Sequence, residues 1–204
     1  HFMFSNNDGY IGNTFRENGA GVAVMYSHHV LMQHNHFQHN WGDNAYGLLL
    51  KEISDGEILQ NNFDNNTVGI QMESTNRIDV AKNDFGSNGY AIRMAASCNE
   101  NILQFNAFTG NTFDVATNGN VMLNQLQHNY WDKYEGYDMN KDGIGDVPYH
   151  PISMYSMVIE QNPNAAMLLR SFMVTLLDKA EKAIPSLTPE NMFDEKPIMK
   201  RSSL

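Results

Sequence analysis

Asparagine followed two residues later by an aromatic residue recurs along the chain at Asn13/Phe15, Asn35/Phe37, Asn61/Phe63, Asn83/Phe85, Asn106/Phe108 and Asn129/Trp131. Subtracting positions gives intervals of 22, 26, 22, 23 and 23 residues. A second asparagine follows each of the first five anchors by five residues, at Asn18, Asn40, Asn66, Asn88 and Asn111. Three residues before the anchors stand Tyr10, Met32, Ile58, Val80, Leu103 and Leu126. After the anchors come the alternating apolar pairs Val22/Val24, Ile70/Met72 and Ile92/Met94. In the second rung the matching pair, Leu48/Leu50, is displaced by four residues, which places an insertion in the turn Trp41–Tyr46 and explains the long interval. Several columns in register at one period mean a solenoid, because no such unit buries its apolar face alone.

Short alternating segments broken by Asn and Gly are strands. The reading is therefore an all-β chain: a single-stranded right-handed parallel β-helix of about 22-residue rungs, followed by a C-terminal α-helix and an extended tail. Asn suits the turns because it tolerates left-handed backbone and bonds to backbone nearby. Stacked on its counterparts it can also donate to the carboxamide of the next rung, while the aromatics stack inside the coil. Residues 1–131 read as rungs and 132–162 as a closing cap segment rich in Asp, Gly, Tyr and Pro. Residues 163–185 read as an amphipathic helix, with Leu168, Leu169, Phe172, Met173, Leu176 and Leu177 on its apolar face. Pro163 precedes that helix and Pro185 stops it, leaving 186–204 as a tail that is extended or disordered without a partner.

The net charge of -10 argues against nucleic acid and anionic lipid as partners. A single cysteine, Cys98, excludes an internal disulfide framework. The chain opens at His1 inside a strand-like segment, so further rungs and any targeting segment are expected to precede it.

Four sets of residues could carry chemistry. Strand alternation puts Val22 and Val24 inside and Met25 outside; Met3 lies one rung earlier in the same column, with His1 two residues before it. Two thioethers beside an imidazole form a soft-ligand patch suited to Cu(I), although methionine also serves as plain apolar filling. Asp138, Asn140, Asp142, the Ile144 carbonyl and Asp146 match the first part of a calcium loop with Gly143 at its turn, but Tyr149 stands where the bidentate glutamate belongs. The alternative is an acidic turn closed by its own Asx bonds. Five histidines crowd between His28 and His39 without a fixed ligand spacing, and read as solvated turn residues. Lys51, Glu52, Glu73 and Arg93 lie on neighbouring outward columns, the surface on which a polysaccharide lyase or hydrolase would gather its groups, yet they form no convincing acid/base pair.

Val24-Met25-Tyr26-Ser27, Tyr46-Gly47-Leu48-Leu49-Leu50-Lys51-Glu52-Ile53, Asn129-Tyr130-Trp131-Asp132, Gly136-Tyr137-Asp138, Asp146-Val147-Pro148-Tyr149 and Leu168-Leu169-Arg170-Ser171 together resemble the C-terminal two-thirds of the NosD family. The resemblance implies a non-enzymatic periplasmic accessory protein. It implies work with the membrane subunit of an ABC transporter and a copper chaperone, with copper as transient cargo for nitrous oxide reductase. In that picture the β-helix is a platform for the chaperone, and the apolar helix face with its tail docks on the transporter; the alternative for the helix is that it caps the solenoid end. The alternative of a different class is a carbohydrate-binding or carbohydrate-active β-helix.

Overall fold

A computed structural model describes residues 1–121, 123–162 and 192–203. The chain winds through about six coils of parallel strands. The first coil holds β1 (Phe2–Met3), β2 (Gly9–Ile11) and β3 (Thr14–Arg16), and the second β4 (Val22–His28), β5 (Leu31–Gln33) and β6 (His36–Gln38). In the third, one long strand, β7 (Leu48–Leu59), rounds a corner before β8 (Asn62–Asp64). The fourth has β9 (Val68–Glu73), β10 (Asn76–Ala81) and β11 (Asp84–Gly86); the fifth has β12 (Tyr90–Met94), β13 (Ile102–Gln104) and β14 (Ala107–Thr109). The sixth has β15 (Phe113–Thr117), β16 (Gln125–Gln127) and β17 (Tyr130–Trp131). Three faces result, and β7 joins two of them into one sheet.

The register is the one the repeat dictates. Phe15, Phe37, Phe63, Phe85, Phe108 and Trp131 are Cα partners in sequence. Their rings stack at centroid separations of 5.1, 4.7, 4.9, 4.9 and 4.2 Å, the spacing of neighbouring strands. Tyr10, Met32, Ile58, Val80, Leu103 and Leu126 form a second inward column. Leu48 and Leu50 pair with Val22 and Val24, so the four-residue displacement is absorbed in the turn before β7. Gly47 lets that turn lie close to the aromatic stack: a Cβ there would meet the Gly69 carbonyl oxygen at 2.9 Å, Phe37 Cβ at 3.0 Å and Phe63 Cδ1 at 3.4 Å.

Asparagine holds the corners. The backbone N–H and Nδ2 of Asn35 both donate to Oδ1 of Asn61, at 2.9 and 3.0 Å, while Nδ2 also donates to the Tyr10 carbonyl at 2.7 Å. Asn61, Asn83 and Asn106 repeat this pattern toward Asn129. A parallel ladder runs through Asn40, Asn66, Asn88 and Asn111. Each buried carboxamide thereby finds partners for both of its N–H bonds, which removes the penalty for burying it. Beside the ladders the chain turns through left-handed residues, among them His34, Gln60, Lys82, Phe105 and His128 with φ from 53° to 56°. Such geometry costs a non-glycine residue about 1–2 kcal/mol, and the repeated ladder bonds offset it.

Both ladders end on a carboxylate. Asn111 Nδ2 donates to Asp114 Oδ1 at 3.4 Å, and Lys133 Nζ reaches Asp114 Oδ2 at 3.2 Å. Burial pushes the Asp114 carboxyl above its usual range, and Lys133 opposes that rise. The other ladder passes from Asn129 to Asp194, which is fully buried. Asp194 Oδ2 accepts from Asn129 N, Asn129 Nδ2 and Trp131 Nε1 at 2.9, 3.1 and 3.1 Å; Oδ1 accepts from His128 N and Lys196 N.

Two features differ from the sequence reading of the C-terminal part. Inside 132–162 there is a helix, α1 (Met154–Gln161), capped by Ser153 and packed through Tyr155 and Ile159 against Phe113. Of the region read as a tail, residues 192–203 dock on the last coil: Leu126 bridges Asp194 and Tyr130 bridges Ile198 in parallel, so this segment stacks as a partial further rung. The helix expected over 163–185, with Leu168, Leu169, Phe172, Met173, Leu176 and Leu177, lies outside the described residues. Among the described residues no helix is long and apolar enough to cross a membrane.

Candidate functional site

Strands β1 and β4 pair with Phe2 opposite Val24 and Met3 opposite Met25. Val24 is buried, Met25 half-buried and Met3 43% exposed, so the alternation delivers both thioethers to the outer face. His1 precedes β1 and is exposed. Immediately after each methionine the chain turns through Phe4 and Tyr26, both left-handed, whose rings stack at 5.2 Å beside the pair. Adjacent in-register strands hold such side chains about 4.8 Å apart at their roots, within reach of one ion. Soft, neutral sulfur donors fit Cu(I) and fit hard cations poorly. The column continues through Lys51 and Glu73, so a cation follows the thioethers directly.

Of the five histidines read as turn residues, His28 ends β4 and His36 lies in β6, while the other three stand at turns. His28, His29, His34, His36 and His39 are all exposed, and His29, His34 and His39 occupy three left-handed corners of the coil. His28 Nδ1 bonds to Ser54 Oγ at 2.6 Å. Among the described residues no group of three or more His, Cys, Asp or Glu side chains is gathered to hold a metal.

The acidic loop closes on itself. Asp138 Oδ1 accepts from Lys141 N at 2.6 Å, and its Oδ2 accepts from Gly143 N at 2.9 Å. Asn140 and Asp142 accept from the amides two residues on, and Asp146 Oδ2 accepts from Met139 N at 2.8 Å. Ile144 pairs antiparallel with Ile198, and Met199 N donates to the Gly143 carbonyl, so the docked C-terminal segment clamps the loop. These are the Asx bonds of a self-supporting turn.

A cleft of about 410 Å³ lies on the outer face where β7, β9 and β12 meet α1. It brings together Lys51, Glu73 and Arg93, but not Glu52, which turns the corner at φ 53° and is exposed. Lys51 pairs with Glu73 at 3.4 Å. Arg93 Nε and Nη2 both bond to Glu160 Oε2, at 2.9 and 2.7 Å. Each carboxylate is tied to a cation, the arrangement of an ion pair rather than of an acid and a base waiting for substrate. Glu160, whose side chain is 4% exposed, was missed by the sequence reading because α1 was missed. The available signal was Ser153 as a cap, with Tyr155 and Ile159 four residues apart.

Comparison with known proteins agrees with the rungs. The family model described as "Periplasmic copper-binding protein (NosD)" matches residues 1–141. Two curated relatives are each named "Probable ABC transporter binding protein NosD". The one from Stutzerimonas stutzeri is 30% identical over 108 residues, covering 52% of this chain and 25% of its own length. The one from Pseudomonas aeruginosa is 32% identical over 108 residues, with the same shares of 52% and 25%. The match therefore spans about a quarter of the length of these relatives. Since the family model covers more than half of its residues, this chain belongs to the NosD family of periplasmic copper-binding proteins.

Proposed function

We propose that this chain is part of a non-enzymatic periplasmic accessory protein that assists copper delivery. The observation that carries the reading is the in-register pair Met3 and Met25 on the outer face, next to exposed His1. Copper is cargo here: neutral thioethers hold Cu(I) through soft-donor affinity alone, and an exposed site lets the ion leave again. The patch would receive Cu(I) from a copper chaperone seated on the β-helix. The protein would stand with the membrane subunit of an ABC transporter, as the relatives' names suggest, and serve nitrous oxide reductase. Leu168, Leu169, Phe172, Met173, Leu176 and Leu177 would supply the transporter contact.

In the same reading the loop from Asp138 to Asp146 is a structural clamp. Its Asp138, Asn140, Asp142 and Asp146 oxygens and the Ile144 carbonyl are the ligands a calcium ion would take. Micromolar to millimolar calcium should then raise the melting temperature, and Asp142→Ala should abolish the rise; an unchanged melting temperature leaves the loop closed by its own bonds alone.

A competitive Cu(I) titration against a chromophoric chelator tests the copper reading. The native chain should take Cu(I) from the chelator, and the Met3→Leu/Met25→Leu variant should lose at least tenfold in affinity. Equal affinity in the two proteins would remove this site.

A further inference from the structure

The cleft between the outer sheet face and α1 has no part in the copper reading. We propose that it binds a neutral oligosaccharide. Its floor is built on three strands, β7, β9 and β12, so the groups on it are rigidly presented. Polar groups dominate the lining: Gln71, Ser74, Ser97 and Asn118 stand among two cations, Lys51 and Arg93, and two carboxylates, Glu73 and Glu160.

The charges cancel within the cleft, since Lys51 meets Glu73 and Arg93 meets Glu160. A polyanion or a polycation would therefore encounter as many like charges as opposite ones. The apolar lining is limited to Met94 and Ala95, which leaves no pocket to anchor a hydrophobic side chain of a peptide. A polyhydroxylated chain suits what is present. Its neighbouring hydroxyls donate and accept at once, and forked side chains can bridge two of them. Arg93 spends Nε and Nη2 on a single oxygen of Glu160, so its Nη1 is uncommitted among the described residues. Gln71 makes one long bond to Glu73, at 3.4 Å, and is half-buried at the cleft floor.

The test is calorimetric titration of the full chain with chitotetraose and cellotetraose as neutral probes. Tetragalacturonate serves as the acidic probe and an unstructured polar pentapeptide as the peptide probe. A neutral tetrasaccharide should bind, and Gln71→Ala should weaken it about fivefold, the effect of one lost hydrogen bond, without moving the thermal midpoint. Arg93→Ala should weaken it more, but leaves Glu160 buried without its cation, so Gln71→Ala is the deciding variant. The Met3→Leu/Met25→Leu protein should bind the sugar as the native chain does, which separates this inference from the copper reading. No neutral binding at millimolar concentration, a preference for the acidic or peptide probe, or no effect of Gln71→Ala would overturn it.

Discussion

Asn83 shows how one residue type carries this structure. Its Oδ1 accepts from Asn61 N and Nδ2, its Nδ2 donates to the Ile58 and Ala81 carbonyls and to Asn106 Oδ1, and the residue is 2% exposed. Asn83→Ala leaves donors and acceptors on three coils without partners, and should destabilise the chain by about 3 kcal/mol, measurable by urea denaturation. Phe63→Ala opens a gap in the ring stack and should cost about 3–4 kcal/mol. Asp114 adds a pH dependence. Its raised pKa means that the folded chain holds this proton more tightly than the unfolded chain. Its contribution therefore falls as pH rises from the ordinary carboxylate range to the folded value, and is constant above that. In Lys133→Ala the buried carboxylate loses its cation, so the fall should steepen and extend to higher pH. Denaturation at pH 4 and pH 7 should show the variant near native stability at the lower pH and about 3 kcal/mol less stable at the higher. Equal losses at both values would contradict that role.

At the scale of elements, the sequence and the structure part company where the repeat stops. Columns such as Phe15 to Trp131 were legible because a parallel coil has only one register compatible with its period, and a period survives in the sequence. The same logic sorted Met25 with Met3, one rung apart in one column. The docked segment was not legible. Asp194 meets Asn129 across 65 residues of chain, and a carboxylate that ends an amide ladder has no local signature. Its chemistry is nonetheless plain afterwards. Each Asn passes donors toward the C-terminal end, and an acceptor-only side chain ends the series without offering a donor to a further coil. Asp194→Ala should leave Asn129, Trp131 and His128 donors buried without acceptors and cost about 3 kcal/mol. Hydrogen exchange should localise the loss to β16, β17 and the 132–149 cap, with the first three coils unaffected. The helix α1 escaped because its apolar positions are few and follow Pro151 closely, whereas Glu160 acquires meaning only once Arg93 is across from it.

The whole molecule is quasi-one-dimensional, each coil touching mainly its neighbours. That design separates structural features along the axis. The C-terminal end is closed by the self-bonded acidic loop, the docked segment and Asp194. The opposite end carries Phe2, Met3, Phe4 and Ile11 at the surface, with the two thioethers in register. Between the two ends lies the polar cleft. A net charge of -10 favours the approach of a cation from any side, and in the proposed reading the soft thioethers select Cu(I) among them. The central claim is that Met3 and Met25 together hold Cu(I), and X-ray absorption of the chain loaded with one equivalent of Cu(I) tests it most directly. Sulfur scatterers should dominate the first coordination shell of the native chain and vanish in Met3→Leu/Met25→Leu; a first shell of nitrogen and oxygen alone, the same in both proteins, would contradict the account.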